Sequence, residues 1–164
     1  MTIVADSSVL IVLSNLDRLH WLHERFPAGL IVPPAVWREV VDQGGNRPGA
    51  VMIRAAKWIA VQPVSDGDYV RLLNATLGEG ESEAIALAVE RKASVLLLDD
   101  KAARRAASQL KLPVLGSIGI ILWAYQTGRL VTLKEEIERM QNRGGFRLAD
   151  NVIAALLQSV GIRD

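Results

Sequence analysis

Short apolar runs alternate with longer amphipathic stretches along almost the whole chain. The first run, Ile3–Ala5, carries a β-branched pair and stops at Asp6-Ser7-Ser8, a cluster suited to capping a helix. Val9–Leu13 then begins a helix, and Leu16–Phe26 reads as a second one. Leu30–Val32 is the next apolar run; Pro33 and Pro34 end it, and Pro34 is placed to open a helix that reaches about Val41. Gly44, Gly45, Pro48 and Gly49 mark a loop, Val51–Ala56 a short helix, and Trp58–Val61 a third strand closed by Pro63. Asp66–Leu77 has helical spacing and is broken by Gly78 and Gly80, after which Glu81–Lys92 is a strong helix of Ala, Glu and Leu. Val95–Leu98 is a fourth strand ended by Asp99-Asp100, Lys101–Leu110 a helix, and Pro113–Leu115 a short fifth strand. From Gly116 onward the pattern is helical in about three segments, interrupted near Gly128 and at Gly144-Gly145.

Apolar runs alternating with helices predict an α/β fold with a parallel sheet. The runs are continuous rather than alternating, which suits strands covered on both faces. With 164 residues, no internal repeat and no linker, the chain is expected to form one domain with a full core. Half of it is apolar, which excludes a disordered tail, and with two Phe and two Tyr the core must rest on Val, Ile, Leu and Ala. A net charge of +1 excludes a basic nucleic-acid arm, so any RNA binding has to come from a local patch. The absence of Cys excludes disulfides, thiolate chemistry and Cys-ligated zinc, and it fits a reducing cytoplasm. The apolar N-terminus has no basic segment before it and is interrupted by Asp6, so it reads as structure rather than a targeting signal. No run approaches the roughly 18 uninterrupted apolar residues of a membrane helix.

Parallel strands end along one edge, where open α/β sheets meet their ligands. Asp6 follows strand one, and Asp99 and Asp100 follow strand four. Glu39 lies in the second turn of the helix that leaves strand two, and Glu81 and Glu83 open the helix that feeds strand four. Four separate segments thus direct acids to one edge. Two carboxylates 4 Å apart repel by about 4 kcal/mol at an effective dielectric near 20, a cost that a divalent cation removes. An all-oxygen ligand set favours Mg²⁺ or Mn²⁺ over Zn²⁺ or Cu²⁺.

Each acid also has a structural explanation. Asp6 and Asp99-Asp100 suit helix caps, Glu39 a solvated helix face, and Glu79, Glu81 and Glu83 the positive end of a helix dipole. No single position decides; the convergence of four segments does.

The stretches IVADSSVLIVLSNLDRLHWL, LIVPPAVWREVV, LGEGESEAIALAVE, SVLLLDDKAARRAA and GFRLADNVIAALLQSVG span almost the whole chain. In their order and spacing the sequence resembles the PIN-domain superfamily, in particular a small prokaryotic branch related to VapC-type toxin ribonucleases. The resemblance implies a three-layer α/β/α fold with a central parallel sheet of four to five strands and C-terminal helices. It matches the family's first acid to Asp6, the second to Glu39 and the fourth to Asp99 or Asp100. At the third, where relatives often carry Asp, stands Glu81, with Glu83 as a possible sharer of the role, and Ser7 matches the hydroxyl residue after the first acid. The implied activity is endoribonuclease cleavage with Mg²⁺ or Mn²⁺: a metal-activated water attacks the scissile phosphate in line. The implied partners are RNA, a small antitoxin protein and a second copy of the chain.

A single-stranded or looped RNA is the expected substrate, with Lys101, Arg104 and Arg105 available to its backbone, although a solvated helix face explains these cations equally well. His20 and His23 are three residues apart but lack a carboxylate companion near a catalytic loop, and read as an ordinary surface pair. Gly78-Glu79-Gly80 is too short for a phosphate loop and no Walker lysine follows. Ser7-Ser8 lacks a hydrolase elbow. Trp37, Trp58, Trp123 and the run Ile118–Tyr125 exceed what surface helices need and point to core, with some left for a dimer or partner groove. Two other functions compete: a PIN-like module that binds RNA or a partner without cutting, and a phosphoacceptor receiver domain. The receiver requires its acid pair after strand one, whereas here the pair follows strand four.

Overall fold

The computed structural model describes residues 1–161. Five strands, β1 (Ile3–Ala5), β2 (Leu30–Val32), β3 (Ile59–Val61), β4 (Val95–Leu97) and β5 (Val114–Leu115), form one sheet in the order β3-β2-β1-β4-β5. Every pairing is parallel; Val4 faces Ile31 on one side and Leu96 on the other. β1 is therefore central and fully buried, as its uninterrupted Ile-Val-Ala run requires.

The helices between strands are α1 (Ser7–Asn15), α2 (His20–Arg25), α3 (Pro34–Trp37), α4 (Pro48–Ala55), α5 (Gly67–Asn74), α6 (Glu79–Glu90) and α7 (Lys101–Gln109). After β5 come α8 (Ser117–Gln126), α9 (Leu133–Arg143) and α10 (Asp150–Ser159). Contacts sort them into two groups: α1 packs against α4, α8 and α9, while α6 packs against α5 and α7. The chain steps outward from β1 to β3 and then crosses back over β1 to β4, so right-handed connections put these groups on opposite faces. One continuous apolar core joins them, built on Leu10, Leu13, Ile85, Leu87, Leu96, Leu97 and Ile120.

The expected three-layer parallel α/β architecture, including the fifth strand and the C-terminal helices, is present. Three elements differ from their sequence patterns: α6 starts at Glu79 and takes Gly80 into its first turn instead of starting after it at Glu81. The second helix begins at His20 rather than Leu16, because Asp17 takes a φ of 58° and turns the chain; short polar side chains tolerate this conformation best. The helix after β2 is α-helical only to Trp37 and continues as a π-helical turn over Arg38–Asp42, closed by Gln43 N–H to the Arg38 carbonyl at 2.8 Å. Such wider turns concentrate at functional sites, and this one carries Glu39.

Of the tryptophans, Trp21 is buried, Trp58 stacks on His23 at 5.1 Å, and Trp123 lies between the guanidinium groups of Arg25 and Arg129. His23 is thus a stacking partner, and His20 lies 3.9 Å from Glu24. Glu136, only 2% exposed, accepts from both Arg18 at 2.9 Å and Arg139 at 3.0 Å, which ties α9 to the end of α1. Among the described residues no helix is long and apolar enough to cross a membrane.

Candidate functional site

Asp6 extends β1 by one hydrogen bond, from its N–H to the Leu97 carbonyl at 2.9 Å, and then caps α1. Its Oδ2 accepts from the Ser8 N–H at 3.2 Å and from the Ser8 hydroxyl at 2.8 Å. The Ser8 hydroxyl in turn accepts from the Asp99 N–H at 3.1 Å, so this serine joins the ends of β1 and β4. Asp6 is 1% exposed, and its Oδ1 is buried with no hydrogen-bond partner.

Asp6 Oδ1 lies near Gly80, at the start of α6. A Cβ on Gly80 would stand 3.2 Å from Glu39 Oε2 and 3.6 Å from Asp6 Oδ1, so these two acids approach one small space beside the glycine. A cleft of about 230 Å³ opens there, with Ser7, Glu39, Gly80 and Glu81 on its walls. Glu81 keeps one oxygen on the Gly78 N–H at 3.0 Å. Glu83 is engaged elsewhere: its Oε2 accepts from the N–H of buried Ala35 at 2.9 Å, at the N-terminus of α3. That bond anchors α3 to α6 and so sets where Glu39 begins its turn.

Asp99 and Asp100 behave differently. Asp99 gives both oxygens to Ser117, at 2.8 Å from its N–H and 2.5 Å from its hydroxyl, and Gly116 permits the approach, since a Cβ there would lie 2.7 Å from Asp99 Oδ1. Asp100 is exposed, caps α7 through Ala103 N–H at 2.8 Å, and its charge acts on both Asp6 and Glu81. Arg104 bonds the Leu98 carbonyl at 2.9 Å and its charge acts on Asp99; Lys101 and Arg105 are exposed on α7.

The electrostatics follow from this crowding. Burial pushes the Asp6 carboxyl above its usual range; the Ser8 hydrogen bonds oppose this and the Asp100 charge adds to it. Glu81 is raised, first by burial and then by Asp100, Asp6 and Glu39, against the Gly78 bond. Asp99 is raised by burial and by Asp6, with Ser117 and Arg104 opposing. Asp6, Glu39 and Asp100 thus all act on Glu81, and Asp100 acts on Asp6.

A buried carboxylate oxygen without a partner is costly unless a cation faces it. The donor set is all oxygen, which suits a hard divalent ion. Among the described residues no three His, Cys, Asp or Glu side chains are placed together to hold a metal ion. Acids ringing a roomy cleft suit an ion that retains several of its waters, as Mg²⁺ does. The all-carboxylate donor chemistry and the unpartnered Asp6 Oδ1 suit such an ion.

Reading the sequence missed three contributors. Ser8, rather than Ser7, orients Asp6; Ser117 holds Asp99; and Arg38 lines the cleft while bridged to Glu79 at 2.7 Å. The Asp6-Ser7-Ser8 cap signal contained the first, whereas the other two depend on chain crossings with no local signature.

A parallel sheet whose central strand ends in a buried, partly unpartnered aspartate, near a cleft of further acids, places the protein among α/β proteins that meet ligands at the carboxyl edge. A family model, DUF3368, a PIN domain, matches residues 2–162. The chain belongs to the PIN-domain family, whose members are generally nucleases. A solved structure of a PilT N-terminus domain protein from the hyperthermophilic archaeon Sulfolobus solfataricus is similar over 73% of this chain and 90% of that one. It has 20% sequence identity and a TM-score of 0.47. No curated protein matches the chain.

Proposed function

We propose that this chain acts as one cytoplasmic domain and is a Mg²⁺- or Mn²⁺-dependent endoribonuclease. The observation that carries the reading is the buried, unpartnered Asp6 Oδ1 beside Gly80 and Glu39, next to a cleft lined by Glu39 and Glu81. Asp6, Glu39, Glu81 and Asp100 are the proposed ligands. Ser8 orients Asp6, Glu83 fixes the helix that leads to Glu39, and Asp99, held by Ser117, positions the end of β4 beside them. When bound, a divalent ion supplies positive charge that lowers the pKa of a water and steadies the departing oxygen. Arg38 reaches the scissile phosphate by releasing Glu79, both being exposed at the cleft. Lys101 contacts the backbone beyond it, and Ser7 lines the floor. The resemblance to VapC-type proteins supports a role as the toxin of a toxin–antitoxin pair, working as a homodimer. An apolar groove of about 310 Å³ beside Asp99, lined by Leu115, Ile118, Phe146 and Leu148, offers the small inhibitor a surface.

The test is incubation of the pure protein with a pool of short RNAs in Mg²⁺ or Mn²⁺, beside EDTA and Asp6→Asn controls, with circular dichroism to verify folding. Cleavage abolished by both controls is expected. Absence of both cleavage and calorimetric Mn²⁺ binding would overturn the proposal. One observation favours a second reading, a non-catalytic RNA-binding PIN module: among the described residues the acids do not close on a single point. RNA binding without metal uptake would establish that alternative.

A further inference from the structure

A second cavity, of about 430 Å³, adjoins the acidic cleft and shares Glu39 as a wall. It lies between the end of α1, the start of α4 and the end of α9, and its volume falls in the range of small-molecule sites. Arg47 and Arg143 line it, as do Asn15 and Asp17. The Arg47 guanidinium is fixed by the Gly44 carbonyl at 3.1 Å and the Gln43 carbonyl at 2.9 Å, leaving further N–H groups to donate. Arg143 is exposed and has no ion pair among the described residues. The Asn15 and Asp17 side chains are exposed and make no hydrogen bonds among the described residues.

The mixture of charges is informative. Two guanidinium groups suit a phosphate. An ionised Asp17 only accepts hydrogen bonds, so it repels a bare phosphate and requires a donor beside it. A ribonucleotide has both features: a phosphate, and a 2′-hydroxyl that donates, which a deoxyribonucleotide lacks. We propose that this cavity is the subsite for the ribonucleotide next to the one cleaved, with Arg47 and Arg143 on its phosphate and Asn15 and Asp17 on its ribose. The proposal rests on the nuclease reading for its geometry, since Glu39 is the shared wall, but its chemistry can be measured without cleavage.

The experiment is fluorescence anisotropy of fluorescein-labelled hexauridylate and hexadeoxyuridylate in EDTA across a salt series, with circular dichroism on every variant. The wild type is expected to bind the ribo-oligomer about fivefold more tightly. Arg143→Gln, at an exposed position, should weaken both oligomers and reduce the log–log salt slope by about 0.7, the share of one phosphate contact on a single strand. Asp17→Gly, which suits the φ of 58° at this position, should abolish the ribose preference and leave the deoxy-oligomer bound at least as well. An Arg143→Gln variant that binds like the wild type, or a wild type that binds neither oligomer or both equally, overturns the subsite. If either overturning result occurs while the wild type cuts RNA, the nuclease reading survives and the subsite does not. If the contrasts hold in a protein that never cuts, the subsite stands and the nuclease reading fails.

Discussion

Replacing Gly80 by alanine should strengthen the fold and weaken the site. Gly80 is the second residue of α6, and alanine in a helix is favoured over glycine by about 0.4–1 kcal/mol, the lower figure applying in a first turn. In a chain of this size about 0.5 kcal/mol raises Tm by about 1–2 °C. The new methyl would stand 3.2 Å from Glu39 Oε2, 3.5 Å from Val36 Cγ2 and 3.6 Å from Asp6 Oδ1. The last two are ordinary contacts. The first is tight, and because Glu39 is exposed it can swing outward at little cost. The gain in helix stability is therefore kept, while Glu39 leaves the space it shares with Asp6. Disturbing a ligand's orientation costs about 10- to 100-fold in metal affinity or activity. Calorimetric Mn²⁺ titration and thermal melting in EDTA, run on the same Gly80→Ala sample, read both effects. Wild-type Mn²⁺ affinity in the variant would show that the space between Asp6 and Glu39 is not where an ion binds. A Tm lowered by more than about 4 °C would show that Glu39 cannot move as argued.

Asp6→Asn should raise Tm in EDTA, because it removes a buried charge whose Oδ1 has no partner, and should abolish any rise in Tm on adding Mn²⁺; a lower Tm in EDTA would mean that Asp6 serves the fold as a cap alone. In EDTA the protein should lose stability as pH rises above about 4, the unfolded value of Asp and Glu. Asp6, Glu81 and Asp99 are all raised in the fold, so the folded state binds more protons up to those raised values. Urea midpoints that climb across this window, or that fall as steeply in Asp6→Asn, would contradict the assignment. Glu83→Ala removes the acceptor of the Ala35 N–H and should cost about 1 kcal/mol, with reduced but measurable cleavage; complete loss with an unchanged fold would instead make Glu83 a ligand. Glu136→Ala strands Arg18 and Arg139 and should cost about 2–3 kcal/mol in urea unfolding without changing Mn²⁺ affinity, since it lies in the α9 clamp and not in the cleft.

Much of the architecture was legible because its elements are locally determined. Continuous Val/Ile/Leu runs identify buried parallel strands, and the Asp6-Ser7-Ser8 and Pro33-Pro34 signals set helix starts that the structure keeps. Where the sequence pattern misled, a local conformation intervened: Asp17 at positive φ split a helix that apolar spacing alone would continue. The π-helical turn at Arg38 has no sequence signature either, because its spacing differs from an α-helix by one residue. At the site, topology alone brought the acids to one edge, but their individual engagements required coordinates. Glu81 and Glu83 share a helix start and are indistinguishable by composition, yet one lines the cleft and the other holds Ala35. Asp99 and Asp100 are neighbours, and only the position of Ser117, brought in by α8, shows which of them is tied down on both oxygens.

The strand order also sets a timetable. β1 lies between β2 and β4, so the acidic edge takes its residues from both flanks of the central strand. As the chain leaves the ribosome, Asp6 and Glu39 emerge early, but Ser8 has no Asp99 N–H to bind and the edge has no second flank until β4 arrives. At about 5–20 residues per second, several seconds separate those events. During that interval the nascent chain has no assembled site, and whatever chemistry the finished edge performs is withheld from the messenger and the ribosome beside it.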